Sequence, residues 1–370
     1  MKNWQKNLLI WSSLIVVVGL TAFFLRHDAQ LYQRPIVQIE QVTNAKASKV
    51  TDQFGNQVKQ TKQTVTAKFL NTKQRHQLVH FTNTYDSSMA MSQPLTKNMQ
   101  VFISKIDHNT WQVKTMKRDA TWVPILVLVL GILMILMGRA GRLTGLALGI
   151  NTILFTVTIY LNLALGTGFV FWLFVLFSLL AATITLGLVM GFFNPQTWVV
   201  LATVITATLL AMGIGKLVFL ATNNQGLHME LMSFITQLPE PLFLAMTLVG
   251  VLGAVMDEST DMIATLFSLE EEHQHVTTKE LIIAGRRVGQ EIFGALSNVL
   301  FLIFIAAQIP MALLYLRNGN TMTYTYRMNM SLGMVQTLIS AIGIVLTVPA
   351  GIIWFLIFRR IRQRRQEANK

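Results

Sequence analysis

Between Thr121 and Phe358 one long apolar run follows another, which leaves few folds open. A helix needs about 20 mostly apolar residues to cross a bilayer. In hydrocarbon every backbone group must be satisfied internally, so such runs read as spanning helices. The sequence predicts about eight spans: Leu8–Leu25, Trp122–Met137, Leu143–Leu165, Phe169–Phe192, Trp198–Leu220, Leu242–Phe267, Leu281–Gln308 and Leu332–Phe358. The last holds Pro349-Ala350-Gly351, which can kink a span where neighbouring helices re-satisfy the freed carbonyls.

Charged residues make up 13% of the chain, where soluble domains carry roughly 25%. The shortfall lies in the apolar block, because Arg26–Ala120 reads like a soluble segment. The expected fold is an α-helical membrane bundle of about eight spans, with a small all-β extracytoplasmic domain inserted between spans 1 and 2. The expected divisions are a membrane anchor (1–25), an outer β-rich domain (26–120), a polytopic membrane domain (121–358) and a basic cytoplasmic tail (359–370).

The formal net charge of +13 raises nucleic acid as a partner, and its distribution argues against that. The densest run, Arg359–Arg365, follows an apolar helix directly, where positive charge holds a helix end on the cytoplasmic side. With Lys2 and Lys6 inside, alternation puts Arg139, Arg142, the Glu270–His275 loop and the tail inside as well. Residues 26–120 then lie outside a bacterial cell membrane despite their basic excess, which long translocated domains tolerate. An apolar run of about 18 residues ending in Phe23-Phe24-Leu25 makes a poor signal peptide, so the first span is expected to stay as an anchor. The chain has no cysteine, which removes disulfides and thiolate chemistry.

In the outer segment, Thr64–Leu70, Gln77–Phe81, Val101–Ile103 and Trp111–Lys114 are short, β-branched and aromatic, and separated by turn residues. They read as strands of a small barrel or sandwich. His76 and His80 would share a strand face; without a third ligand they read as a solvated pair. No metal site is called, since Glu271, Glu272, His273 and His275 read as a charged turn. Thr222–Leu238 is expected to form an amphipathic interfacial helix, and Lys216 a snorkelling anchor.

The chemistry-bearing stretch is Gly250–Phe304. Ionisable residues inside a membrane are costly and usually face a bundle interior or an aqueous cavity. Asp257, Glu258 and Asp261 interrupt the sixth span, and Arg287, Gln290, Glu291, Ser297 and Asn298 mark the seventh. Asp257 and Asp261 share a helical face, and Arg287, Glu291, Gly294 and Asn298 form a stripe. The two helices are expected to form an antiparallel hairpin, with Thr277 and Glu280 as a capping box. Counting from the loop pairs Asp261 with Arg287 and sets Asp257 near Glu291. Two neighbouring carboxylates in low dielectric cannot both ionise cheaply, so such a pair holds a proton, as a proton- or cation-coupled transporter requires. A plainer reading stands beside this one. Arg286 and Arg287 mark the membrane edge, and Glu291 neutralises Arg287 four residues earlier. Gly250, Gly253, Gly285, Gly289 and Gly294 are read as close-packing positions.

The strings GVLGAVMDESTDMI (Gly250–Ile263) and AGRRVGQEIFGALSNVLFLIF (Ala284–Phe304) resemble the signature of the YibE/F-like bacterial membrane proteins. Gly253, Asp257, Gly285, Gly289, Gly294 and Asn298 match it in order. The layout of one span, an exported β-rich domain and about seven further spans resembles the YibE branch. Glu291 stands where that family has aspartate, and Asp261 where serine is usual, which makes an Asp261–Arg287 pair particular to this chain. The resemblance implies a shorter YibF-like membrane partner and supplies no substrate.

No P-loop, Gly-x-Ser-x-Gly elbow or zinc-helix motif is present, so the chain is not expected to be an enzyme and no cofactor is called. The expected function is transporter- or permease-like, with Asp257 and Glu291 as coupling sites and Gln290, Ser297 and Asn298 along the path. The rival expectation is a non-transporting envelope scaffold or sensor. The expected partners are the lipid bilayer and a YibF-like protein or a second copy.

Overall fold

The computed structural model describes residues 3–51, 55, 57–87, 89, 92–107, 110–232, 238–272 and 276–368, and divides into two compact units, Met1–Arg142 and Leu143–Lys370.

The first unit opens with helix α1 (Asn3–His27) and a 3₁₀ turn at Ala29–Leu31. Six antiparallel strands follow: β1 (Ile36–Asn44), β2 (Ser48–Thr51), β3 (Gln57–Phe69), β4 (Leu78–Asp86), β5 (Gln100–Asp107) and β6 (Thr110–Met116). β3 is the spine of the sheet. One edge takes β2 and then β1, and the other takes β4. β1 also pairs with β5, and β5 with β6. The sheet curls until β4 and β6 approach one another. Its core is the alternating inward set expected of half-buried strands: Val37 and Ile39, Val65, Ala67 and Phe69, Val79 and Phe81, Val101 and Ile103.

The four sequence-predicted strands fall on β3, β4, β5 and β6, with Leu70 and Gln77 lying one residue outside β3 and β4. The central strand β1 is an addition to them. His76 is not on a strand: it has φ 71° in the turn before β4, while His80 sits on β4 with Nδ1 3.0 Å from Thr66 Oγ1. The two imidazoles therefore do not form a same-face pair.

Gln63 locks the sheet domain from inside and is only 1% exposed. Its Nε2 donates to Asn44 Oδ1 (2.8 Å) and to the carbonyl of Leu95 (3.1 Å). Its Oε1 accepts from Asn83 Nδ2 (2.9 Å) and the Leu95 amide (2.8 Å). A buried amide must find partners for its donors and acceptors. Gln63 finds them on β1, β4 and the strap that leads into β5.

The last strand ends at Met116, and only Lys117 and Arg118 separate it from helix α2 (Asp119–Leu165). Its 47 residues include both Trp122–Met137 and Leu143–Leu165, and Gly138 breaks the helical backbone between them, at φ 57° and ψ −118°. Only glycine adopts such a backbone readily. Gly131 gives room for Leu14 of α1.

The second unit contains α3 (Val170–Leu186, extended by a π turn to Gly191), α4 (Pro195–Ala221), α5 (Pro239–Glu272), α6 (Thr278–Arg317), the short α7 (Met322–Thr325) and α8 (Ser331–Ala368). Counting α1 and α2, seven helical segments among the described residues are long and apolar enough to cross a membrane. Asn194 caps α4 by accepting from the Gln196 amide at 3.0 Å, with Pro195 in the first turn, where a missing N–H costs nothing. Thr277 and Glu280 form the capping box of α6. α8 continues through Pro349 as one helix.

Over its described residues 222–232, the expected interfacial segment is not an α-helix. Asn223, Asn224 and Gly226 all have positive φ, which turns the chain, and a 3₁₀ turn at Met229–Leu231 follows. Phe234 and Ile235, assigned to the same amphipathic segment, lie outside the described residues, as do His273 and His275. Lys216 forms an ion pair with Glu240 across the α4–α5 connection, so its charge is met by protein as well as by water.

Candidate functional site

The core of the second unit is built where α4, α5 and α8 meet. At one level a Cβ on Gly343 of α8 would lie 2.9 Å from Val255 Cγ2, 3.0 Å from Val251 Cγ1 and 3.5 Å from Ala211 Cβ of α4. At a second level a Cβ on Gly351 would overlap Met262 and lie 3.4 Å from Thr203 Cγ2. α5 and α8 therefore run parallel and α4 runs against them. Trp354 Nε1 of α8 also donates to Thr206 Oγ1 of α4 at 2.9 Å.

Glu258 lies on α5 between those two levels. Val251, Val255, Glu258 and Met262 follow at i, i+4, i+7 and i+11, one buried helical face. Glu258 is 0% exposed, and neither carboxyl oxygen has a hydrogen-bond partner among the described residues. By register it is level with Thr347 of α8 and Ala207 of α4, both fully buried. The nearby hydroxyls of Thr347 and Thr203 donate to their own helices, to the Gly343 and Val199 carbonyls at 3.0 and 2.8 Å. Both retain acceptor lone pairs and have no free proton. Ser259, also 0% exposed, and the buried Thr208 have hydroxyl oxygens without partners.

The other candidates lie elsewhere. Asp257 and Asp261 are exposed on a different face of α5, and Arg287, Gln290, Glu291 and Asn298 are exposed on α6, with Ser297 half-buried. Asn298 Nδ2 donates to the Gly294 carbonyl at 2.8 Å.

The expected Asp261–Arg287 ion pair is absent. Among the described residues no ion pair involves Asp257, Asp261, Arg286, Arg287 or Glu291. The reason lies in the glycines of α6. Gly285 and Gly289 are buried against Ile352 and Val348 of α8, which turns the Arg287–Asn298 stripe outward. A Cβ on Gly285 would also lie 3.5 Å from Leu266 Cδ2 of α5. Antiparallel counting from that contact sets Asp261 level with Gln290 and Asp257 level with Gly294, about three residues out of the register expected from the loop. A Cβ on Gly250 would lie 3.1 Å from Gln336 Nε2, whereas Gly253 and Gly294 have open space.

Two arrangements went unread in the sequence. At the end of α5, Glu270 meets Arg359 of α8 (Oε1 to Nε, 3.1 Å), and Arg359 Nη2 donates to the Val276 carbonyl at 2.7 Å. The basic tail thus holds the α5–α6 connection. In the first unit, Lys117 is buried in an ion pair with Asp28 (2.8 Å), contacts Asp119 (2.9 Å) and the Leu25 carbonyl, and lies 5.3 Å from the centre of the Tyr32 ring. Tyr32 donates to Asp119 Oδ2 at 2.7 Å. That hydrogen bond, with burial, pushes the Tyr32 hydroxyl up to about 12. The sequence signal was a Lys-Arg-Asp triplet at a span boundary, which topology rules alone treat as a flank.

Comparison with known protein families gives two matches. The profile of the YibE/F family N-terminal domain matches residues 30–117, the sheet domain. The profile described as YibE/F-like protein matches residues 125–360, a stretch that takes in Glu258 and both polar helices. No curated protein and no solved structure matches the chain. The second match alone covers more than half of the sequence, and the chain belongs to the YibE/F-like family.

Proposed function

We propose that this protein is a transporter- or permease-like component of the bacterial cell membrane, in which the centre of α5 binds a proton or a small cation. The observation that carries the reading is Glu258: a carboxyl group sealed among α4, α5 and α8 with no hydrogen-bond partner among the described residues. Burying a bare carboxylate carries a penalty of several kcal/mol. Compensation comes from a proton on the carboxyl or a cation beside it, and the Thr347 oxygen at the same level suits either. The exposed ionisable residues of α5 and α6 support a second element. Lipid is a poor neighbour for Asp257, Asp261, Arg287 and Glu291. Their face is read as an aqueous path completed by another membrane chain, a YibF-like protein or a second copy. The reading assigns no enzymatic chemistry.

The topology belongs to the same proposal. At 1.5 Å per residue α2 would be about 70 Å long, more than twice the roughly 30 Å hydrocarbon core. With its break at Gly138 it supplies two spans, which gives eight in all and both termini in the cytoplasm.

The test is a pH-jump and cation-flux assay on the full chain in proteoliposomes, comparing wild type with Glu258→Gln and Asp257→Asn. Glu258→Gln preserves shape, should insert and fold normally, and should reduce flux at least about tenfold, as expected for loss of a required acid–base group. Wild-type flux in Glu258→Gln defeats the proposal. Flux absent from every protein, with folding intact, favours a second reading as an envelope sensor or scaffold. That reading draws on the polar cleft of about 610 Å³ between β4 and β6, lined by Thr82, Thr84, Gln112 and Lys114.

A further inference from the structure

In the first unit, where α1 ends and α2 begins beside the sheet, a groove of about 670 Å³ opens. That volume falls within the roughly 300–1,000 Å³ of small-molecule sites. Its walls divide by chemistry. Phe23 of α1 and Trp122 of α2 supply aromatic surface, 64% and 63% exposed. Arg26, Arg118 and Gln93 supply the polar side.

The two arginines are electrostatically unmatched. Among the described residues neither forms an ion pair with a carboxylate. Arg118 Nη2 donates to Gln93 Oε1 and lies 3.5 Å from Met116 Sδ. Arg26 contributes its carbonyl oxygen to Gln100 Nε2 at 2.9 Å, and its side chain makes no hydrogen bond among the described residues. Lys117, beside them, is already neutralised by Asp28 and Asp119. The surrounding segment is basic throughout, with fourteen Lys and Arg against six Asp and Glu between residues 26 and 120.

Unmatched guanidinium groups are forks for phosphate oxygens, and aromatic side chains at the ends of spanning helices lie at the depth of lipid head groups. We propose that this groove binds a phosphodiester anion, supplied as the head group of an acidic phospholipid. Arg26 and Arg118 hold the phosphate, and Phe23 and Trp122 lie along the glycerol and first acyl carbons. The site would fix one lipid where the sheet domain meets the membrane. A soluble phosphodiester offers the same anion without acyl chains, and the experiment separates the two sources.

The full-length protein, purified in detergent, is titrated by native mass spectrometry with phosphatidylglycerol, with phosphatidylcholine of the same acyl chains, and with soluble glycerophosphoglycerol. Phosphatidylglycerol should be retained at least about tenfold more tightly than either competitor. Arg26→Gln and Arg118→Gln should each weaken it about tenfold, the range expected for a charge-assisted hydrogen bond. Lys46→Gln, remote in sequence on an exposed loop after β1, should change nothing. If Arg118→Gln perturbs folding through Gln93, Arg26→Gln carries the test alone. Equal retention of the two lipids, or undiminished binding in Arg26→Gln, overturns the proposal. Equal binding of glycerophosphoglycerol and phosphatidylglycerol overturns the lipid assignment and leaves a soluble phosphodiester as ligand.

Discussion

Tyr32 shows how a single half-buried contact becomes a measurable property. Its hydroxyl donates to Asp119 beside the buried Lys117–Asp28 pair, so ionisation would remove a donor and place a second anion next to a carboxylate. The folded-state value of about 12 exceeds the roughly 10 of an unfolded tyrosine. The contribution to stability is therefore complete below pH 10 and is lost as pH rises from about 10 to about 12. A tyrosinate absorbance titration should show a late-titrating component in wild type that is missing in Tyr32→Phe. A wild-type curve without that late component counts against the contact.

Glu258 makes the complementary point about what sequence shows at this scale. Its four-residue arithmetic with Val251, Val255 and Met262 was as legible as that of Arg287, Glu291 and Asn298. The charged stripe drew attention because its members are all polar. The decisive signal was one carboxyl inside an apolar stripe, and that requires knowing which face α5 buries. Gln63 was illegible for a related reason. It stands among Lys62, Thr64 and other polar residues of β3, and only the strap carrying Leu95 explains its burial.

At the scale of elements, the position of α6 depends on two glycines. Gly289 faces Val348 of α8 so closely that any Cβ would overlap it. Gly289→Ile should force the helices apart and destabilise the unit by about 1–3 kcal/mol, the usual penalty for overpacking. Gly294→Ala, in open space, should instead be neutral or stabilise by up to about 1 kcal/mol through helix propensity. Thermal unfolding of both variants in detergent measures the difference, and equal melting temperatures would mean that α6 does not rest on α8 through Gly289. The small-residue pattern Gly285-x-x-x-Gly289 was readable from sequence. Its partner was not, because a hairpin between α5 and α6 and packing on α8 bury the same glycines. The loop count favoured the hairpin alone and shifted the polar register by about three residues. The strands fared similarly. β3 to β6 announce themselves by β-branched alternation, while β1 is interrupted by the irregularity between Ile39 and Gln41, which breaks the period on which the reading relies.

For the whole molecule the absence of cysteine is an experimental convenience, since any introduced thiol is unique. With eight spans, Lys46→Cys should react with a membrane-impermeant thiol reagent in intact cells. Ala140→Cys and Gln366→Cys should react only after permeabilisation. Labelling of Gln366→Cys in intact cells would require α2 to cross once, against the length argument. The division into a sheet domain and an apolar block was legible from composition alone, because charge density falls abruptly after Ala120. The break at Gly138 was legible only as a polar interval between two apolar runs, Arg139 to Arg142; the left-handed backbone that makes it was not.

The strand order also bears on biogenesis. β1 is the first strand synthesised, yet its second edge is closed by β5, whose partner residues lie more than sixty positions later, Ile36 against Phe102. Pairing so distant in sequence forms slowly. A nascent chain carrying β1 to β4 therefore has an open edge, and the sheet completes only when the residues just before α2 arrive. Such a domain stays unlatched until its last strands are made, and its closing pairs form only as the start of α2 is synthesised.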